Sequence, residues 1–572
     1  MKLLNLEINS KFRSLDKGFK IQFHQQDNLK TMSEFNPFCL VGLNGCGKSN
    51  VLEALSEIFY HVELCVGQHL PSVLHDENVF ISQVCAVNAF KLQYMTLDSP
   101  QNEITREHAV IVTISKEEND SPKITVRSQG VAPMLTFDLG NFHVSQSSLV
   151  KSFLPQYIVA YSSGENETLS IPYIKSRFIH LHEFKEDIIN DVVDYTSPEN
   201  SLIYVDSNMS QAILLSCLLF EKGNTLESLS DYNTIGISRI KRFRMRLRDE
   251  IFTTEDGEKY SYFALFIRKK KMIKGILGKE LFEVLSNISS MSWYDEKARA
   301  YYFDFWVNKD TKQAFRSYFH TAMECFQVFR LLYELNNYAV TMEKQKEIFE
   351  SKGVYTEGKF GTPGSDDDVF HFLDFFLAKK MNRQGIKEDL LLRQFSDGEH
   401  QFIHTMAICL LLKDSNALIL LDEPETHFNP SWRSRFVSIL NDTLDNACVG
   451  PEQNDKKKVN FMKDILITSH SPFIISDCKP ENVIILRKDK DGHPVAKKAS
   501  QENIMTYGAS TSFIQAKIFG SKDAIGGKAY QEMKIMSEQT GVDKQQLLNK
   551  VSTLFGESLE KLMILGKINN RE

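Results

Sequence analysis

Several features that define large functional classes are missing from this chain. It has no run of about 18 apolar residues, the length that a membrane-spanning helix needs, and residues 1–7 lack the pattern of a signal peptide. The nine cysteines are scattered without a CxxC pair, and the histidines do not cluster. Neither a disulfide framework nor a structural zinc site is therefore expected. We expect a cytoplasmic protein with reduced thiols and no contact with a membrane.

Charge and composition do not identify a binding partner for this chain. The net charge is -7 and the sequence pI is about 6.2, so the surface as a whole does not attract nucleic acid, although a local basic patch still could. Hydrophobic residues at 42% and charged residues at 25% are typical of globular proteins and argue against extended disorder. A chain of 572 residues suits two to four domains.

A glycine-rich loop at residues 42–49 is the most informative segment. It follows an apolar run at residues 37–41 and precedes helical spacing at residues 50–60, which predicts strand, loop and helix. The sequence GLNGCGKS fits the phosphate-loop pattern GxxxxGK[ST]. Glycines let successive N–H groups point at phosphate oxygens, and the helix start adds positive potential. The expected phosphate contacts come from Asn44, Gly45, Cys46, Gly47, Lys48, Ser49 and Asn50.

Two side chains of this loop have individual predicted roles. Lys48 is expected to reach the β- and γ-phosphates of ATP, and the Ser49 hydroxyl is expected to ligate Mg²⁺. The alternative is a chance match, at roughly a few per cent for average residue frequencies. ATP and Mg²⁺ are therefore the expected cofactors.

A second apolar strand, at residues 418–421, ends in two acids. Because an α/β sheet places its site at the carboxyl ends of its strands, Asp422 is suited to bind Mg²⁺ and Glu423 to act as the base that polarises the attacking water. Alone, such a sequence would more often be an ordinary strand-to-turn transition. Together with Lys48, the catalytic interpretation is favoured.

Two further segments complete the pattern. Ser396, Gly398 and Glu399 are expected to start a helix over residues 399–412 and to offer a second phosphate-binding surface, although such a sequence is by itself a common helix cap. His470 follows an apolar strand at residues 465–468. It fits a γ-phosphate sensor that keeps Glu423 and the water aligned, whereas a lone histidine there is usually a surface or packing residue.

In this order the segments resemble the ABC-type ATPases. The sequences LDEPETH at 421–427 and SHSPFIISD at 469–477 look like the non-transporter branch that includes OLD-type, RecF-like and SMC-like proteins. The resemblance implies an α/β ATPase head split into two lobes. It also implies ATP hydrolysis in a homodimer, where residues 396–399 of one chain complete the Lys48 site of the other. The glutamine of the Q-loop is not placed, with Gln83 and Gln93 as candidates.

The order and length of the segments indicate which members of this branch the chain resembles. The long coiled coil of SMC-like proteins and the acidic nuclease domain of OLD enzymes have no counterpart here, so no nuclease site is expected in this chain. Length, insertion and helical C-terminus are most similar to the PtuA ATPase subunits of Septu-type or retron-associated anti-phage systems. That resemblance implies an HNH-type nuclease partner and, in retron-linked systems, a reverse transcriptase with its RNA–DNA product. The alternative is a DNA-repair or chromosome-maintenance ATPase of the RecF-like kind that clamps DNA.

Four segments are expected along the chain. Residues 1–200 are the first lobe, with an antiparallel hairpin at 3–23, and residues 201–389 are a mainly helical insertion with a helix at 313–336 and a mobile linker at 353–368. Residues 390–500 are the second lobe. Residues 501–572 are a helical extension, clearest at 501–510 and 530–556.

One strand-like stretch places alternate arginines on one face, namely Arg242, Arg244, Arg246 and Arg248. Aligned arginines suit phosphates, so contact with nucleic acid is one hypothesis, and a solvated face balanced by nearby acids is equally favoured. A second basic cluster, at residues 269–274, is interpreted as a solvated loop. The aromatic residues between 293 and 306 are expected to pack in the core rather than to stack on bases.

Overall fold

The computed structural model describes residues 1–26, 36–77, 79–98, 108–128, 134–164, 167–190, 200–221, 223–248, 250–254, 257–261, 279–351, 368–447, 462–521, 525–539 and 542–570. The predicted linker, apart from Asp368, and the second basic cluster lie outside the described residues. Within the described ranges, no helix has the length and apolar character needed to cross a bilayer.

The strands in chain order are β1 (Lys2–Ile8), β2 (Phe19–Gln22), β3 (Phe38–Val41), β4 (Phe90–Leu97), β5 (Ala109–Lys116), β6 (Lys123–Ser128), β7 (Leu135–Asp138), β8 (Tyr157–Ser162), β9 (Leu202–Tyr204), β10 (Ile237–Arg248), β11 (Ile251–Thr253), β12 (Lys259–Ser261), β13 (Met291–Asp295), β14 (Ala300–Trp306), β15 (Phe370–Lys380), β16 (Lys387–Leu391), β17 (Ala417–Asp422), β18 (Lys463–Thr468), β19 (Val483–Lys488) and β20 (Pro494–Lys498).

The α-helices in chain order are α1 (Lys48–Val66), α2 (Ser147–Phe153), α3 (Glu167–Ile189), α4 (Ser207–Phe220), α5 (Glu227–Ser230), α6 (Lys279–Ile288), α7 (Lys309–Phe319), α8 (Ala322–Glu334), α9 (Met342–Glu350), α10 (Asp397–Leu411), α11 (Pro430–Arg433), α12 (Phe436–Ala447), α13 (Pro472–Ser476), α14 (Thr511–Ile518), α15 (Gly527–Glu538), α16 (Lys544–Leu554) and α17 (Leu559–Asn569).

A seven-stranded sheet is shared by the two ends of the chain. Its order is β20-β19-β3-β18-β17-β8-β9, and all neighbours are parallel except the edge pair β19 and β20. Strands β3, β17 and β18 are buried along their whole length, as parallel strands covered on both faces must be. Their carboxyl ends lie side by side at one edge, which is where a parallel sheet places a site.

Two large hydrophobic cores cover the two faces of this sheet. Alternate side chains of β3 point into different cores, Cys39 and Val41 into one and Phe38 and Leu40 into the other. The core that contains Phe38 also joins α1 to a six-stranded antiparallel sheet of order β2-β1-β4-β5-β6-β7. This sheet contains the predicted hairpin, which is confirmed.

The region expected to be a mainly helical insertion also holds a five-stranded antiparallel sheet, with the order β13-β14-β10-β15-β16. Only β10 was predicted. The sequences of β14, AYYFDFW, and β15, FHFLDFFLAKK, carry aromatic residues on both faces, so the polar–apolar alternation that marks a strand is weak. The predicted helix at 313–336 is two helices, α7 and α8, because the chain turns at His320 with φ 56°.

The C-terminal segment is helical, but the helix predicted at residues 501–510 is wrong. A short 3₁₀ turn at Ala499–Glu502 ends at Asn503 in a left-handed conformation, and the next α-helix is α14, capped by Ser510. The pattern at residues 530–556 belongs to two helices, α15 and α16. With α17 they enclose a small separate core of Met533, Leu547, Val551, Ile564 and Ile568.

Candidate functional site

The phosphate loop connects β3 to α1, as predicted. Gly42, Gly45 and Gly47 have φ of 151°, 73° and 97°, a range that side chains rarely adopt. Space is also limited, because a Cβ on Gly42 would lie 2.2 Å from the carbonyl oxygen of Leu486 and one on Gly47 would lie 2.7 Å from the Ser14 hydroxyl. Only glycine therefore fits at positions 42 and 47.

The other residues of the phosphate loop differ in their exposure to solvent. Asn44 and Gly45 are exposed at the tip, and Cys46 is buried beneath it. The Asn50 side chain is held away from the tip, since its Oδ1 accepts a hydrogen bond from Ser14 at 2.6 Å and its Nδ2 donates to Glu53 at 3.1 Å. Asn50 thus ties the start of α1 to the hairpin of β1 and β2, a role that the motif does not reveal.

The Lys48 side chain is folded over its own loop. Its Nζ donates to the carbonyl oxygens of Gly42 at 3.2 Å and Leu43 at 3.3 Å, and the residue is 6% exposed. Burial lowers the Lys48 pKa, and the carboxylate of Glu423 opposes that shift. Phosphate oxygens are stronger acceptors than carbonyl groups for an ammonium donor, so a phosphate at this loop can replace both contacts.

Ser49 and Asp422, the two expected Mg²⁺ ligands, are in contact. The Ser49 hydroxyl donates to Asp422 Oδ1 at 2.9 Å, and Thr468, from the strand between β3 and β17, donates to the same oxygen at 2.6 Å. Oxygen donors of this kind suit Mg²⁺, which needs only one or two carboxylates when substrate phosphates and waters supply the other ligands. The described part of the chain holds no group of three or more His, Cys, Asp or Glu that could bind a metal unaided, so the donor set fits a phosphate-bound Mg²⁺.

Glu423 and His470 also meet at this edge. The Glu423 backbone adopts φ 49°, and its N–H donates to the Thr468 hydroxyl at 3.0 Å. The His470 Nε2 lies 3.4 Å from Glu423 Oε1, with both side chains partly exposed. Burial raises the pKa of Glu423, with a further increase from the Asp422 charge, and burial together with the Lys48 charge lowers the pKa of His470. The surroundings of this pair therefore favour the neutral form of each side chain more than water does.

The signature segment starts a helix, as predicted. Ser396 and Glu399 form a reciprocal cap on α10, with the Ser396 N–H donating to Glu399 at 3.0 Å and the Glu399 N–H donating to the Ser396 hydroxyl at 3.4 Å. Gly398 presses on the loop after β17, where a Cβ would lie 2.6 Å from the His427 carbonyl oxygen. Among the described residues, no hydrogen bond or ion pair joins residues 396–399 to residues 42–49.

Neither candidate glutamine lies at the site. Gln93 is in β4, where it bonds to Asn5 and Thr113, and Gln83 is exposed next to Ser82. At the end of β8, the strand beside β17, Ser163 contacts the segment that follows β17. Its N–H donates to the Asp422 carbonyl oxygen at 3.1 Å, and its hydroxyl lies 2.8 Å from that of Thr426.

The loop that follows β17 also holds a buried acid, Glu425, for which the sequence predicted no role. Glu425 is 4% exposed, and its Oε1 accepts a hydrogen bond from the Ser469 hydroxyl. Its Oε2 has no hydrogen-bond partner in the described structure, and burial raises its pKa to about 7. Both residues stand inside the quoted motifs, but nothing in the motif shows that they pair.

The arginine face of β10 is balanced by acids. Arg242 and Arg244 both bond to Asp304 of β14, at 2.7 Å each, Arg248 pairs with Glu250 at 2.7 Å, and Arg246 donates to a backbone carbonyl at 3.0 Å. The interpretation as a solvated face with nearby acids is therefore favoured over a phosphate-binding face.

The aromatic residues next to this face differ in their burial. Phe303 and Phe305 belong to the core, as predicted. Trp306 is 60% exposed and lies under the Arg242 guanidinium at 5.4 Å, so the prediction of core packing is wrong for this residue.

The comparisons with known proteins give a partial match. Residues 328–476, about a quarter of the chain, match a family described as "AAA domain, putative AbiEii toxin, Type IV TA system". No curated protein matches. Solved SMC heads are similar at low scores: one bound to the C-winged helix domain of ScpA (TM-score 0.32, 8% identity, 88% of this chain and 99% of that chain), and others derived from Pyrococcus furiosus (0.31, 9%, 88% and 98%) and Pyrococcus yayanosii (0.30, 10%, 88% and 98%). A likeness this distant carries no argument about function.

Fold and site together define a class of protein. The phosphate loop follows β3, the acid pair follows β17, and a single strand, β18, separates them in a parallel sheet. This is an α/β arrangement of the phosphate-loop kind, and residues 328–476 match an AAA domain. The predicted α/β class is confirmed, whereas the insertion predicted to be mainly helical also holds a five-stranded sheet.

Proposed function

We propose that this chain binds Mg²⁺-ATP at residues 42–49 and hydrolyses it. The observation that carries the proposal is the 2.9 Å contact between Ser49 and Asp422, which brings a phosphate-loop hydroxyl and a strand-end carboxylate from 373 residues apart to one position. Ser49 and Asp422 would hold a Mg²⁺ ion, which would offset negative charge on the ATP phosphates.

The chain's own residues then have separate tasks. Loop N–H groups and Lys48 hold the phosphates. Glu423, whose raised pKa brings it closer to that of an efficient base, accepts a proton from the attacking water. His470 Nε2 lies 3.4 Å from Glu423 Oε1. Burial favours the neutral form of its ring, whose single N–H donates either to that carboxylate or to the γ-phosphate.

We further propose that two copies close around ATP. Ser396 is exposed at the start of a 15-residue helix, a position that favours an anion, yet it makes no contact with the phosphate loop of the same chain within the described residues. A phosphate held by the partner's loop would complete the arrangement.

We propose more specifically that this chain is a cytoplasmic sensor and regulator in an anti-phage complex. In this role it restrains an HNH-type nuclease, and a change in its ATP-dependent dimerisation ends that restraint. Support comes from the resemblance in layout and from the matched family, whose description names a toxin of a toxin–antitoxin system. No observation favours direct clamping of DNA, since the arginines of β10 are engaged by acids and backbone.

Steady-state hydrolysis tests the enzymatic part. Glu423→Gln should lower kcat by about 10²- to 10⁴-fold, as expected for loss of a general base, while still binding ATP. Lys48→Ala should lose ATP binding. The matched control is Glu481→Gln, at an exposed position of the same lobe, which should hydrolyse ATP at the parental rate. Parental hydrolysis by the Lys48 or Glu423 variant would refute the proposal.

Native mass spectrometry of the complex isolated from its host tests the regulatory part. We expect an ATP-dependent dimer carrying a small HNH protein, with nuclease activity that changes in Glu423→Gln. A chain that carries no nuclease and hydrolyses ATP faster when DNA alone is added would instead support the RecF-like alternative.

A further inference from the structure

A second cavity, separate from the phosphate loop, opens at the same edge of the seven-stranded sheet. Its volume is about 730 Å³, within the range of small-molecule sites. Its walls are the carboxyl ends of β8 and β9, the start of α4 and one face of α10, and none of residues 42–49 lines it. The lining includes Tyr161, Ser163, Asp206, Gln401, His404 and His427.

Two residues of α10 that line this cavity each have a buried polar atom without a partner in the described structure. Gln401 is 4% exposed, and although its Oε1 accepts the His427 N–H at 3.0 Å, its Nε2 has no hydrogen-bond partner in the described structure. The same holds for His404 Nδ1, which is three residues further along the helix and so on the same side. Buried polar groups are normally hydrogen-bonded, so this pair marks where a ligand would supply the missing hydrogen-bond partners.

The charge of the cavity disfavours an anion. No lysine or arginine is among the described residues that line it. Burial lowers the pKa of His404 to about 4, so that ring is neutral at neutral pH, and burial also lowers the pKa of His400. The start of α4, which could attract an anion, is already capped by the Asp206 carboxylate, and Arg177 neutralises that carboxylate at 2.8 Å.

The remaining wall suits a flat, hydrogen-bonding ring. Tyr161 and His404 meet edge to face, with ring centroids 5.6 Å apart, and Tyr204 lines the same space. Hydroxyl groups of Ser163, Ser207 and Ser210 stand around them and can donate to or accept from sugar hydroxyls.

We propose that this cavity binds an uncharged nucleoside. The base lies against Tyr161 and His404, and one of its ring nitrogens or carbonyl oxygens accepts a hydrogen bond from Gln401 Nε2. Phosphorylated forms are disfavoured, because the described lining offers them no lysine or arginine. Because the cavity and the phosphate loop share no residue, nucleoside binding here does not require ATP at Lys48.

Isothermal titration of the full chain with adenosine, guanosine, cytidine and uridine tests the proposal. At least one should bind, and Gln401→Leu should weaken it about tenfold, the effect of leaving one buried hydrogen bond unmade. His404→Phe, which keeps the ring and removes its nitrogens, should have a similar effect and serves where the Gln401 variant does not fold. Gln545→Leu, at an exposed position of α16, should bind as the parent does, and excess Mg²⁺-ATP should leave nucleoside binding to the parent unchanged.

Three results would overturn the assignment. If no nucleoside binds, the cavity holds water only. If the affinity is the same in both α10 variants, the ligand lies elsewhere. If excess Mg²⁺-ATP displaces the nucleoside, the nucleoside occupies the ATP site instead.

Discussion

Replacing Glu425 by glutamine should stabilise the protein at alkaline pH and have little effect at acidic pH. The carboxyl is buried, only one of its oxygens has a hydrogen-bond donor within the described structure, and its pKa is raised from an ordinary 4.5 to about 7. Protonation is therefore easier in the folded chain than in the unfolded chain. The stability that goes with the neutral form is fully present below 4.5 and is lost as the pH rises through about 7.

The magnitude follows from the shift. At about 1.4 kcal/mol per pKa unit, the folded state loses about 3 kcal/mol once Glu425 is fully ionised, and less than about 1 kcal/mol near pH 5. Glutamine has nearly the same shape, can still accept from Ser469, and carries no charge at any pH. The variant should therefore gain about 2 kcal/mol more, relative to the parent, at about pH 8.5 than at about pH 5.

Thermal denaturation of parent and variant at the two pH values measures this difference. Other titrating groups contribute equally to both proteins and cancel when the two differences are compared. Glu538→Gln, at an exposed position of α15, is the control and should show no such pH dependence. An equal effect of Glu425→Gln at both pH values would show that the carboxyl is ionised in the folded state as readily as in the unfolded one.

Three further outcomes are expected. Asp304→Asn removes the negative charge that two arginines of β10 share. Because Asp304 is 5% exposed, the free energy of unfolding measured with urea should fall by about 1–3 kcal/mol. An unchanged urea midpoint would contradict the pairing. Gly398→Ala places a Cβ 2.6 Å from the His427 carbonyl oxygen, so the start of α10 must shift, with a cost of about 1–3 kcal/mol in the same assay. Hydrolysis by the parent should rise with pH as Glu423, whose pKa burial raises, loses its proton, and a rate that is flat between about pH 5 and about pH 8 would argue against Glu423 as the base.

The candidate site was predictable where chemistry and local structure lie in one short segment. The phosphate loop combines an apolar strand, positive-φ glycines and a helix start within a few residues, so the spacing of residues 42–49 alone predicts its geometry. Asp422 and Glu423 follow their strand in the same way. Pairings between distant segments were not predictable: Thr468 with Asp422 and Ser469 with Glu425 depend on β17 and β18 being neighbours, and no local pattern shows which strands are adjacent.

Strand β10 also shows which features can be predicted from the sequence and which cannot. Alternation along β10 correctly predicts a strand with arginines on one face, because the side-chain period of two is a local property. Whether those arginines are free for phosphate depends on what the neighbouring strand presents. Asp304 lies 62 residues beyond Arg242, and it faces the arginines only because β14 pairs with β10 in a register that sets Arg244 opposite Asp304.

The loop at residues 423–427 contacts several segments that appear in the sequence as separate motifs. Glu423 begins it beside His470, Thr426 shares a hydrogen bond with Ser163, and His427 ends it with its N–H on Gln401 and its carbonyl oxygen against the signature glycine of α10. Four residues therefore separate the proposed base from the helix that is proposed to reach a second chain. A change in the position of Glu423 cannot leave that helix unaffected, since a packed interior transmits displacements of a fraction of an ångström, and the proposed nucleoside cavity lies against the same loop and the same helix.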